Sequence, residues 1–139
     1  MEAVEYLERI KKLKTMIHNK LIEQAQWADL ARSITANMGG ERVQSSGTQS
    51  RMADAVCECV DMEQEIAASV KALREEYREI VATIEAVDNP TWYDVLHKRY
   101  VQGIDLEDIA DEYGKEYTWA TTTHGRAKKS VQDILDGRK

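Results

Sequence analysis

One spacing restricts the fold of this chain more than any other. Cys59, Ile66, Leu73, Ile80 and Val87 stand seven residues apart, and so do Val56, Glu63, Val70, Tyr77 and Ile84. Two interleaved rows of this kind place their side chains along one face of a helix, as the seam of a coiled coil requires. Neither glycine nor proline interrupts residues 51–88, so the spacing predicts one continuous helix there. A helix rising about 1.5 Å per residue cannot bury so long a stripe against itself. It must fold back on another helix of the same chain, pair with another chain, or do both. Glu63 is the one charged residue in the seam, and a charge there is costly unless paired. Glu63 is expected either to meet a basic partner such as Lys20 or Arg32 or to lie near an opening, and such a residue can set register.

The other half of a hairpin lies upstream. Residues 2–36 carry Leu7, Ile10, Leu13, Ile17, Leu21, Ala28 and Ala31 at three- and four-residue steps, with Trp27, Leu30 and Ile34 widening the stripe toward its end. This periodicity predicts a second long helix. Between the two, residues 37–50 hold three glycines among Ser, Thr, Asn and Gln, which reads as a loop. It is longer than a helical hairpin needs. A plain connection is the simpler reading, with a binding loop as the alternative. Residues 1–88 are therefore expected to form a long antiparallel helical hairpin of coiled-coil type.

Asp88-Asn89-Pro90 marks a boundary. Asn89 suits a helix N-cap and Pro90 its first turn. A helix over 90–102 would present Trp92, Leu96 and Tyr100 on one face and stop at Gly103. Asp105 is placed to cap the next short helix, whose apolar face is Ile109, Ala110 and Tyr113, with Glu107 and Asp108 favourably set in its first turn. Gly114 supplies the left-handed conformation that ends it. A last helix then begins near Tyr117 and continues through Val131, Ile134 and Leu135, before an Asp-Gly-Arg-Lys tail expected to fray. Residues 89–139 thus read as a small three-helix domain containing a helix-turn-helix. The fold class is all-α, as the single proline and abundant Glu, Lys, Ala, Leu and Ile also suggest.

The last helix carries the chemistry. From Tyr117 to Gln132 there is no Asp or Glu, while Arg126, Lys128, Lys129 and several threonines fall in the same span. In a helix-turn-helix the second helix enters the major groove of DNA. Tyr117, Thr118, Thr121, Thr122, Arg126, Lys128 and Lys129 are accordingly the expected DNA-contacting residues. Thr118 has a competing role as N-cap, and Trp119 is expected in the core. The net charge of −6 argues against a protein that coats nucleic acid indiscriminately. Residues 1–90 hold 11 basic and 16 acidic side chains, against 8 and 9 in residues 91–139, so a DNA surface must be local.

Other functions find little footing. Cys57 and Cys59, two apart, fall on nearly opposite sides of a helix and are poorly placed to share a disulfide or a metal. They read as reduced thiols. His18, His97 and His124 have no Cys or His at ligand spacing, and no Ser/His/Asp grouping or phosphate-binding glycine loop is evident, so neither metal, cofactor nor enzymatic activity is expected. No apolar run approaches the ~20 residues of a membrane span, and the acidic start is unlike a signal peptide. A cytoplasmic protein is expected.

The stretch Leu96-His-Lys-Arg-Tyr-Val-Gln-Gly-Ile-Asp-Leu-Glu-Asp-Ile-Ala-Asp-Glu-Tyr-Gly114 resembles the start of region four, the C-terminal DNA-binding part of bacterial sigma factors. The wider arrangement resembles small phage and prophage regulators of Gram-positive bacteria that are described as sigma-factor-like. Ser33-Ile-Thr-Ala, Glu41-Arg-Val-Gln-Ser-Ser, Arg99-Tyr with Asp108-Ile-Ala, and His124-Gly-Arg-Ala carry this resemblance across nearly the whole chain. It implies double-stranded promoter DNA as the ligand, host RNA polymerase as a further partner, and a role in phage gene control. The chain departs from the pattern at Ala120 and Thr123, where larger aliphatic residues are usual, and at Thr118 and Thr122, where arginine is common. Fewer arginines mean fewer bidentate contacts to guanine. A homodimer joined through the hairpin would offset that weakness.

The leading expectation is a phage-derived, sequence-specific transcriptional regulator. A DNA-packaging protein resembling a terminase small subunit is the rival reading, though there the DNA-binding part usually comes first. A structural or adaptor protein that has lost DNA binding is the third.

Overall fold

The computed structural model describes residues 2–40 and 46–138, with side chains over 2–36 and 50–138. The described chain is all-helical: α1 (Ala3–Gly40), α2 (Ser46–Glu85), α3 (Pro90–Leu96), a single π-helical turn (His97–Val101), α4 (Leu106–Glu112) and α5 (Tyr117–Gly137). Helix reaches into both ends of the interval 37–50 expected to be a loop. The Glu41-Arg-Val-Gln-Ser segment, and with it the binding-loop reading, lies outside the described residues.

The chain divides into two compact units, Met1–Thr15 with Glu75–Lys139, and Met16–Arg74. The divisions fall inside both long helices; residues 88 and 89 lie in the step from α2 to α3.

In the first unit, Leu7, Ile10 and Leu13 of α1, Ile80 and Ile84 of α2, and Val87 just past its end are buried with Val95, Leu96, Ile109, Ala110, Ala120, Ala127 and Val131. Tyr6 meets Thr83 (2.9 Å) and Arg9 meets Glu76 (3.0 Å from Nη2 to Oε2), so these segments of α1 and α2 run antiparallel. The guanidinium of Arg9, hydrogen-bonded to Glu76, holds that carboxyl below its ordinary range. Both groups are exposed enough that the pair adds little stability.

Thr83 is a buried polar junction. Its hydroxyl donates to Glu79 O (3.0 Å) and accepts from the Tyr6 hydroxyl and from Arg138 Nη1 (2.8 Å). One donor and two acceptor sites are the full capacity of a threonine hydroxyl, so burying it leaves nothing unsatisfied. The tail expected to fray is held as far as Arg138: α5 runs to Gly137, and Arg138 reaches across to Thr83. Nearby in the C-terminal part of α5, Gln132 Oε1 accepts from Ala3 N–H at the start of α1 (2.8 Å), satisfying one of the amides a helix start leaves open.

In the second unit, the buried apolar side chains among the described residues are Cys59, Ile66 and Val70, all on the α2 seam. Leu73, Val56 and Glu63 of the same rows are half-buried. From Met16 to Ala36, α1 has no fully buried side chain. Leu21 and Leu30, assigned to its apolar stripe, are exposed at 38% and 46%. Lys20 and Arg32 do not serve Glu63. They pair with Glu23 and Asp29 one turn away on their own helix, where the short i to i+3 path makes contact easy.

Candidate nucleic-acid interface

The elements that present α5 are set by local chemistry. Asn89 is the N-cap of α3, its side chain accepting from Thr91 N–H (2.9 Å) and Trp92 N–H (3.2 Å), with Pro90 in the first turn. The helix expected to run unbroken over 90–102 instead widens after Leu96. Gln102 N–H bonds to His97 O (3.0 Å), five residues back, which inserts an extra residue into the turn. Gly103, at φ 74°, then ends it.

Asp105 stands at the N-cap of α4 with an extended backbone, but its side chain makes no capping bond. Its carboxylate lies 3.7 Å from Arg99 instead. At the other end of α4, Gly114 has φ 65°, Lys115 N–H bonds to Ala110 O (2.8 Å) and Gly114 N–H to Asp111 O (3.0 Å). This paired closure satisfies the last carbonyls of the helix and requires a left-handed residue, which glycine adopts without strain.

α5 begins at Tyr117 with Glu116 as its N-cap, so Thr118 is not the cap. The helix packs on both α3 and α4. Its buried face is Ala120, Thr123, Ala127 and Val131. Three of these are small, and Ala110 on α4 is buried too, so the helices approach closely where larger aliphatics would hold them apart. Aromatic bulk fills the flank: Trp119 is half-buried and lies 4.9 Å from Tyr113, ring centre to ring centre.

A polar brace locks α4 to α3. The Tyr113 hydroxyl donates to the Asp94 carboxylate, and Lys98 bridges Asp94 (3.9 Å) and Glu112 (3.0 Å). Burial, then the bond to Asp94 and the nearby carboxylates, push the Tyr113 phenol up to about 12. A second contact joins the π-helical turn to α5. Tyr100 Oη and His124 Nε2 are 2.8 Å apart, with the rings stacked at 5.6 Å. Burial pushes Tyr100 up to about 12. Burial, with Lys128 and Arg99 nearby, pushes His124 down to about 4. Both rings are therefore neutral near pH 7, and one hydrogen suffices for the bond.

The seven residues assigned to DNA contact divide into two rows. Thr118, Thr122, Arg126 and Lys129, at steps of four, four and three, are all exposed and lie opposite the buried face. Tyr117, 57% exposed, starts the second row, on the flank that also carries Thr121, His124 and Lys128. Thr121 and Lys128 are half-buried, and the Thr121 hydroxyl donates back to Thr118 O (2.9 Å). Thr121 is thus the residue of the set least free to meet a ligand. Beside Tyr117 an open hollow of ≈ 540 Å³ is lined by Arg99, Asp105, Leu106 and Glu107.

Arg99 was not among the residues expected to meet DNA, yet it brings a cation to the edge of this surface. Sequence spacing could not have found it, because the π-helical turn that aims it has no sequence period of its own. α4 adds an acidic border of exposed Glu107, Asp108, Asp111 and Glu112, of which Glu107 shares the hollow with Tyr117 and Glu112 pairs with Lys98. The surface can receive a polyanion along α5 while repelling one from α4. Among the described residues, no group of three or more His, Cys, Asp and Glu could hold a metal, Cys57 and Cys59 are free thiols, and no helix is long and apolar enough to cross a membrane.

Comparison with protein families, with curated proteins and with solved structures finds no match.

Proposed function

We propose that this protein is a sequence-specific DNA-binding transcriptional regulator of phage type, with α4, the Gly114 turn and α5 acting as a sigma-like helix-turn-helix. The observation that carries this reading is the outer row of α5. Thr118, Thr122, Arg126 and Lys129 are exposed on one face of a helix whose first sixteen residues contain no carboxylate side chain. The helix is held from behind by α3 and α4, so a groove ligand would meet a preformed surface. Arg126, Lys128 and Lys129 would neutralise phosphates, while Tyr117, Thr118 and Thr122 would reach base edges or backbone; Thr121, its hydroxyl bonded to Thr118 O, would contribute least. The long helices α1 and α2 would act as an antiparallel hairpin that joins two copies, so that two weak half-sites are engaged together. Host RNA polymerase is the expected further partner.

The adaptor reading draws support from the acidic border on α4 and the scarcity of arginine on α5. Selection from a pool of randomised duplexes at low salt, followed by fluorescence anisotropy on the enriched sequence, separates the two. Enrichment of a defined motif supports regulation. Absence of enrichment, with no binding even at low salt, favours the adaptor.

A further inference from the structure

Helix α2 carries a second face that the described residues leave largely exposed. Val56, Val60, Glu63, Ala67, Lys71 and Arg74 follow one another at steps of four, three, four, four and three, which is the spacing of a single helical stripe. Val60 is 37% exposed, Ala67, Lys71 and Arg74 are exposed, and Val56 and Glu63 are half-buried. Glu63, Lys71 and Arg74 make no ion pair among the described residues. The stripe is also ordered by charge about its middle. Glu63 lies four residues before Ala67 and Lys71 four residues after it.

From this we infer that α2 pairs with α2 of a second copy, antiparallel, about a two-fold axis at Ala67. The inference rests on the proposal that the long helices join two copies, and it specifies the face and the register. An isologous contact requires each patch to complement itself. A two-fold axis at Ala67 does this: Glu63 of each copy faces Lys71 of the other, and Val60 packs along the aliphatic stem of Arg74 of the second copy. The small side chain at the axis lets the backbones come close. Such a cover would add apolar burial to a unit whose fully buried apolar side chains, among the described residues, are Cys59, Ile66 and Val70. Glu63 then sets the register of the dimer, the role that a charged seam position fills best.

Sedimentation equilibrium on the full chain tests this with charge reversal. Wild type is expected to dimerise. Glu63→Lys sets two ammonium groups together twice across the axis, and Lys71→Glu does the same with two carboxylates, so each single change should weaken association roughly tenfold. The double variant Glu63→Lys/Lys71→Glu restores both pairs and should return to within about threefold of wild type. These side chains are not fully buried, and circular dichroism checks that helix content is kept. A monomeric wild type overturns both the joining role of the long helices and this register. A wild-type dimer that the single reversals leave unchanged, or that the double variant fails to restore, overturns the register alone.

Discussion

His124 stacks against Tyr100 on the half-buried flank of α5, and its neutrality has a measurable consequence. Its pKa falls from an ordinary 6.5 to about 4 because burial, and the nearby Lys128 and Arg99, disfavour the imidazolium. The unfolded chain thus takes up a proton that the folded chain refuses. The stability this residue contributes is complete above pH 6.5 and is lost as pH falls toward 4. Between pH 7 and pH 5 the full shift corresponds to about 2 kcal/mol, at ~1.4 kcal/mol per unit over the ~1.5 units crossed. Partial exposure of the ring reduces this to about 1–2 kcal/mol. His124→Gln keeps an acceptor for the Tyr100 hydroxyl and removes the titration. Denaturant unfolding of both proteins at pH 7 and pH 5 gives the comparison, because other titrating groups cancel in the difference. Wild type should lose about 1–2 kcal/mol more than the variant on acidification. Equal losses, or a larger loss in the variant, would refute the reasoning.

Three further outcomes follow from the same geometry. Gly114→Ala places a side chain at φ 65° where no neighbouring atom obstructs it, so only backbone strain is felt and unfolding should show a loss of about 1–2 kcal/mol. Tyr113→Phe takes one donor from Asp94 while leaving Lys98, and should cost about 1 kcal/mol with faster amide exchange in α4. Ala127→Leu forces a large side chain into a fully buried position of α5, and calorimetry should register a loss of about 1–3 kcal/mol.

The features legible in the sequence were those with a local cause. The seven-residue rows mark side chains that are buried or half-buried, because that spacing keeps them on one face of the helix. Asn89-Pro90, Gly103 and Gly114 fell where their backbone preferences require, and α5 starts at the residue where acids cease. Features decided by partners distant in sequence were not legible. Thr83 reads as an ordinary helix threonine until Tyr6 and Arg138 arrive from opposite ends of the chain. Leu21 and Leu30 match the α1 period but remain exposed, because period describes a stripe and does not say whether enough surface exists to cover it. Within the candidate interface, residue types chose seven positions, and only coordinates separated the outward row of Thr118, Thr122, Arg126 and Lys129 from the tucked hydroxyl of Thr121.

The salt dependence of duplex binding by wild type and by the Arg126→Ala/Lys128→Ala/Lys129→Ala variant tests the central claim most directly. If these side chains neutralise phosphates, the variant binds more weakly at every salt concentration. The slope of log affinity against log salt then shrinks by about 0.9 for each phosphate left without its cation, up to about 3 in all. Identical slopes and affinities for the two proteins would mean that α5 does not face DNA.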